Sequence, residues 1–147
     1  MREVKKEKTG WRDAAMSEEH RRWGWDCPAN DIDFLMAEYD HFQPIALVEY
    51  KNENHPPIKM TEPGLRVVVE LGNRALIPVF FVRYAVDLSW WKVHALNDYA
   101  KRWPPEATQM TKIEYVEFLY KIRGRPVPTG LFEADKVTTS LFEDSEF

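Results

Sequence analysis

Apolar positions along this chain fall into blocks of two different periods, and the blocks predict an order of elements. In residues 11–23, Ala14, Ala15 and Met16 favour a helix that Gly24 would stop. Residues 31–39 and 44–51 are apolar on both faces over their middles, as strands in the interior of a sheet are. The polar turn Asp40-His41-Phe42-Gln43 joins them into a hairpin, and Pro44 opens the return strand. Thr61-Glu62-Pro63 reads as a helix start with threonine as cap; Leu65, Val68, Val69 and Gly72 share one face, and Gly72-Asn73 end the element. Residues 77–85 form a third strong strand, rich in aromatics, and residues 90–96 a more alternating one nearer an edge. Pro104-Pro105 breaks the chain again. Thr111-Lys112-Ile113-Glu114 matches a capping box, and Tyr115, Phe118, Leu119 and Ile122 follow at helical spacing up to Gly124. Helix, hairpin, helix, strand, strand, helix is the order of an α/β domain, a mixed central sheet flanked by helices.

The hairpin carries charges that an apolar strand does not ordinarily hold. Asp31, Asp33, Glu49 and Lys51 are all odd-numbered, so alternation places each pair on one face of its own strand. A hairpin centred on His41 sets Asp33 across from Glu49 and Asp31 across from Lys51. Charge on a buried strand is unfavourable unless it is paired or holds a metal, and facing carboxylates repel until a proton or a cation intervenes. Asp33 and Glu49 offer the hard oxygens that Mg²⁺ (or Mn²⁺) prefers, with positions left for water and a substrate phosphate. Lys51 lies roughly 6.5–7 Å along the strand from Glu49, within reach of an attacking water or a scissile phosphate. The competing reading is a structural salt bridge from Lys51 to Asp31 or Asp33. An acid-x-lysine triplet is common, and Glu3-Val4-Lys5 is a second one in the polar N-terminus. Glu49-Tyr50-Lys51 differs in ending an apolar strand that follows another with acids of matching parity.

This arrangement resembles the PD-(D/E)xK nuclease superfamily, in particular its branch of small Holliday-junction-resolvase-like and phage-type nucleases. The resemblance covers residues 17–96 and implies a restriction-endonuclease-like core in α-β-β-β-α-β order, here with an extra C-terminal helix and a flexible acidic tail. It also implies Mg²⁺-dependent hydrolysis of phosphodiester bonds in DNA, endo- or exonucleolytic, on branched replication or recombination intermediates. Glu49 and Lys51 match the acid-x-lysine pair. The sequence has no Pro-Asp dipeptide; Asp33 is the favoured aspartate and Asp31 its alternate. Glu18 or Glu19 would match a first-helix glutamate near the metal, and Tyr50, in the variable middle position, should face a helix. Relatives often act as homodimers, because their substrates have two-fold symmetry. The alternative on the same fold is a catalytically inactive module that binds DNA or a protein.

Composition narrows the setting. With 147 residues, 44% hydrophobic and 30% charged, the chain fits a single domain at 11–130 between a polar segment 1–10 and an acidic tail 131–147. No apolar run is long enough to span a bilayer, the N-terminus lacks the apolar core of a secretory signal, and Cys27 is the only cysteine. The expected compartment is therefore the reducing cytoplasm, of a bacterial or phage-infected cell on the family resemblance. The net charge is −4, and the tail carries all of it: five acids and one base, leaving 19 of the 20 bases against 19 of the 24 acids in residues 1–130. Net charge thus gives DNA binding no support, and the candidates for phosphate contact are the local groups His20, Arg21, Arg22 and Arg123, Arg125. The tail's Leu141-Phe142 is a candidate anchor for a protein partner. The six tryptophans read chiefly as core or rim, with Trp23 and Trp25 the candidates for base stacking. There is no HExxH pair and no Gly-rich phosphate loop.

Overall fold

A computed structural model describes residues 14–23, 28–103 and 108–132. The expected helix start at Trp11, the approach at 24–27, the Pro104-Pro105 break and the tail beyond Phe132 lie outside them. The chain divides into two compact units, Met1–Asp31 and Ile32–Phe147. In the first unit α1 spans Ala14–Arg22, with Arg22 paired to Glu19 at 2.8 Å and to Glu18 at 3.8 Å.

The described residues of the second unit are α/β, a five-stranded mixed sheet with two α-helices. Its strands are β1 (Phe34–Glu38), β2 (Gln43–Asn52), β3 (Val79–Tyr84), β4 (Trp91–Ala95) and β5 (Gln109–Met110), ordered β1-β2-β3-β4-β5. Helix α2 (Pro63–Ala75) connects β2 to its parallel neighbour β3; all other neighbours are antiparallel. Helix α3 (Lys112–Arg123) follows β5, and a 3-10 turn at Ala100–Arg102 separates β4 from β5.

Alternation gives the sheet two faces. Ala46, Val48, Phe80, Val82, Trp91 and Val93 pack with Tyr115, Phe118 and Ile122 of α3 in the larger core. There Trp91 stacks on Tyr115 and Phe80 meets Phe118 edge-on. The opposite face holds a smaller cluster of Leu47, Ile77 and Val79 with Val68 of α2. Glu49 and Lys51 share the parity of Leu47 and so belong to the α2 face.

Several expectations are modified, each for a local reason. The expected strand 31–39 is shorter, Phe34–Glu38, and Asp31 and Asp33 precede it. The return strand starts at Gln43, with a register shift that leaves Ile45 without a partner opposite Met36 and Ala37. Pro44 lacks the N–H that regular pairing would use, and bulges are where strands accommodate proline. Helix α2 runs past Gly72 to Ala75, and its cap position is Glu62 rather than Thr61. Gly72 does not end the helix: it lies where α2 meets β3, and a Cβ there would overlap Val79 Cγ2. Leu76 takes the left-handed terminal position instead, at φ 60°. Where a meander of three strands was expected before α2, the described residues hold two. By contrast α3 has both halves of its capping box, with Thr111 Oγ1 accepting from Glu114 N and Glu114 Oε1 from Thr111 N, and Gly124 at φ 69°.

Candidate active site

The site grows from the end of a ladder. Register through Phe34↔Val48, Leu35↔Leu47 and Met36↔Ala46 is that of a hairpin centred on His41. One step beyond its last pair stand Asp33 and Glu49. Asp33 makes up for the missing strand with its side chain, Oδ2 accepting the Tyr50 N–H at 3.1 Å. Its carboxyl is also near enough to that of Glu49 to oppose the charge there. Lys51 Nζ lies 3.8 Å from Glu49 Oε1.

Glu49 is held in an environment that opposes its charge. Its side chain is 18% exposed. Burial first, and the Asp33 charge second, push its carboxyl above the ordinary value; Lys51 pulls the other way. Glu62, just ahead of α2, adds a further upward push. Because α2 joins the end of β2 to the start of its parallel neighbour β3, its N-terminus lies towards the Glu49 end of the sheet, while Gly72 lies against Val79. The acidic pair therefore sits at the carboxyl end of two parallel strands, next to a helix N-terminus that favours anions.

Register across the sheet adds residues that the chain order does not place together. Glu49 neighbours Phe81, which neighbours His94; Lys51 neighbours Arg83, which neighbours Lys92. One face thus carries a carboxylate, phenyl and imidazole row beside a row of three cations. Arg83 NH1 donates to Asn52 O at 3.0 Å and His55 O at 2.7 Å, fastening the loop that leaves β2. Its guanidinium carbon is 5.6 Å from the Phe81 ring centre. No sequence pattern flagged Phe81, Arg83, Lys92 or His94. Parity within a strand is readable, but parity between β2 and β3 requires the register of a parallel pair joined through a helix.

On the other face, Tyr50 points at α3, its hydroxyl bonded to that of Tyr115. Asp31 closes the first unit, and the ladder starts too late to set it opposite Lys51. Glu18 and Glu19 engage Arg22 on α1, where Arg21 is exposed and the His20 ring lies 5.3 Å from that of Trp23. Arg123 and Arg125 are committed to acids of the hairpin: Arg123 Nε to Glu38 Oε1 at 2.5 Å, Arg125 to Glu38 at 3.5 Å and to Asp40 at 2.8 Å. Trp25 and Cys27 lie outside the described residues.

Among the described residues no group of three His, Cys, Asp or Glu side chains could hold a metal ion. A cation here would rest on Asp33 and Glu49 alone. Two neighbouring carboxylates, with water and substrate phosphate completing the shell, are a donor set that suits Mg²⁺. No helix among the described residues is long and apolar enough to cross a membrane. Compared with protein-family models, curated proteins and solved structures, the chain has no match.

Proposed function

We propose that this chain is a metal-dependent deoxyribonuclease built on a restriction-endonuclease-like core. The observation that carries the reading is the meeting of Asp33, Glu49 and Lys51 where the β1–β2 ladder ends: two neighbouring carboxylates and an ammonium 3.8 Å from one of them. The run of hairpin, α2 crossover and parallel β3 supports the same core. DNA as the partner, a homodimer and a cytoplasmic setting, all implied by the resemblance, belong to this reading.

Asp33 and Glu49 would hold Mg²⁺ or Mn²⁺, which when bound polarises a phosphoryl oxygen and lowers the pKa of coordinated water. Glu49 must be ionised to bind the cation, and Lys51 favours that state. The Lys51 ammonium also orients the water and offsets the charge that develops on the phosphoryl oxygens. Arg83 and Lys92, in line with Lys51, extend the positive row along which a phosphodiester backbone can lie.

Plasmid, single-stranded and four-way-junction DNA incubated with Mg²⁺ or Mn²⁺ test the proposal. Wild type should cleave at least one of them, with Asp33→Asn and Lys51→Ala each slower by about a hundredfold or more. Cleavage that survives both substitutions would place the chemistry elsewhere. The two-carboxylate donor set is the observation that favours a second reading, a non-catalytic module that binds DNA or a protein. On that reading wild type binds without cutting, and calorimetry with Mg²⁺ or Mn²⁺, with and without DNA, shows no heat from the metal.

A further inference from the structure

Beside the acidic pair is a cavity of about 450 Å³. Phe81 and His94 form an aromatic wall, their ring centres 6.1 Å apart. Ile58, Met60 and Leu96 supply apolar sides, Leu65 closes it from the first turn of α2, and Arg83 brings a charge to the rim. Glu49 and Lys51 are not part of the lining; they flank it on β2, one strand spacing of about 4.8 Å from Phe81 and Arg83.

The geometry points to this cavity as the binding site for one unpaired nucleobase of the DNA strand whose adjacent phosphate lies at Asp33 and Glu49. The inference rests on the nuclease reading and adds to it a substrate class. Size is the first argument: the volume is that of a small-molecule site and is too small for a secondary-structure element of a partner. Chemistry is the second. Apolar sides, an aromatic wall and a few polar groups match a flat ring with a polar edge. Charge is the third, because Lys51, Arg83 and Lys92 line up beside the cavity, so its occupant is attached to an anion. Position is the fourth: neighbouring strands seat the base and the reacting phosphate side by side. A paired base cannot enter such a pocket without leaving its stack, which costs a few kcal/mol in duplex and least in DNA already single-stranded. The preferred substrates are therefore single strands, frayed ends and the unpaired parts of branched DNA.

The test is binding without turnover. Anisotropy in EDTA compares full-length protein on a short single-stranded oligonucleotide with the same oligonucleotide carrying one abasic position, moved along its length. Wild type should bind the intact strand about tenfold or more tighter than the strand abasic at one particular position. Met60→Trp fills the cavity from its rim, where Met60 is 55% exposed; it should erase that difference. Leu96→Trp fills it from the residue just after β4 and should do the same. Equal affinity for intact and abasic strands at every position, or a difference untouched in Met60→Trp, would overturn the pocket. The two readings fail separately. Protein that discriminates abasic strands but never cuts with Mg²⁺ keeps the pocket and loses the nuclease; protein that cuts without discriminating does the reverse.

Discussion

Glu49 stands near the end of β2, half-buried beside a second carboxylate, and both conditions oppose its ionisation. Its folded-state pKa lies above the unfolded value near 4.5, so the linkage has a definite sign. Stability from this group is fully present below that value and is lost as pH rises through the raised pKa. Without divalent metal, Glu49→Gln should melt at a higher temperature than wild type at about pH 8, and the gap should close towards about pH 4. Mg²⁺ should narrow the gap from the other side, because it binds and stabilises only the wild type. Thermal denaturation at the two pH values, with and without Mg²⁺, measures all of this; a variant less stable than wild type at the higher pH refutes it. The same scale shows what single residues left undecided. Asp31 and Asp33 have the same parity and each is followed by an apolar residue, so only the starting point of β1 separates them. Where a strand starts depends on which backbone groups find partners, and Asp33 is set by accepting the Tyr50 N–H seventeen residues away.

Elements were legible where their signals are local. The capping box and Gly124 bound α3 as read, because a cap is made by residues three apart. Gly72 was misread because glycine also serves close packing, and the neighbour that demands it, Val79, belongs to another element. Gly72→Ala gains helix propensity of about 1 kcal/mol but forces a methyl into a fully buried valine. Overpacking of that kind costs about 1–3 kcal/mol, so the variant should be destabilised on balance. Val79→Ala in the same chain should recover part of the loss, and urea titration of the single and double variants would expose an additive result, which contradicts the contact. The hairpin tip is fastened in a comparable way. The hydrogen bond from Arg123, then its charge and that of Arg125, hold the Glu38 carboxyl below the ordinary range against the cost of burial. That contribution is present above the unfolded pKa and disappears as pH falls through the folded one. Arg123→Met should therefore lower the urea midpoint at neutral pH, by an amount that shrinks as pH falls below the unfolded value near 4.5; an equal loss at every pH would mean that packing, not charge, ties the hairpin to α3.

At the scale of the molecule, the sheet divides its work between two faces. The α3 face concentrates aromatic packing, and the α2 face has a smaller apolar cluster that leaves the carboxyl ends of β2 and β3 free for polar chemistry. The strands and the pairing Asp33–Glu49–Lys51 could be read along the chain, since a hairpin relates them through one turn. The row Lys51–Arg83–Lys92 and the cavity on Phe81 could not, because three strands and a crossover must be placed before those side chains meet. Whole-chain charge gave the least guidance: a net charge of −4 conceals a balanced body and an acidic segment after Gly130. The residues past Phe132 are outside the described structure. Four net negative charges tethered to a neutral body compete with DNA phosphates for the body's cations, over a range set by screening. That range is about 30 Å at 0.01 M salt and about 3 Å at 1 M. Truncation after Gly130 should raise affinity for random duplex DNA at low salt, and the two proteins should converge as salt is added. Anisotropy titrations across a salt series measure the effect. Equal affinity at the lowest salt would show that the tail does not shield the cations of the body.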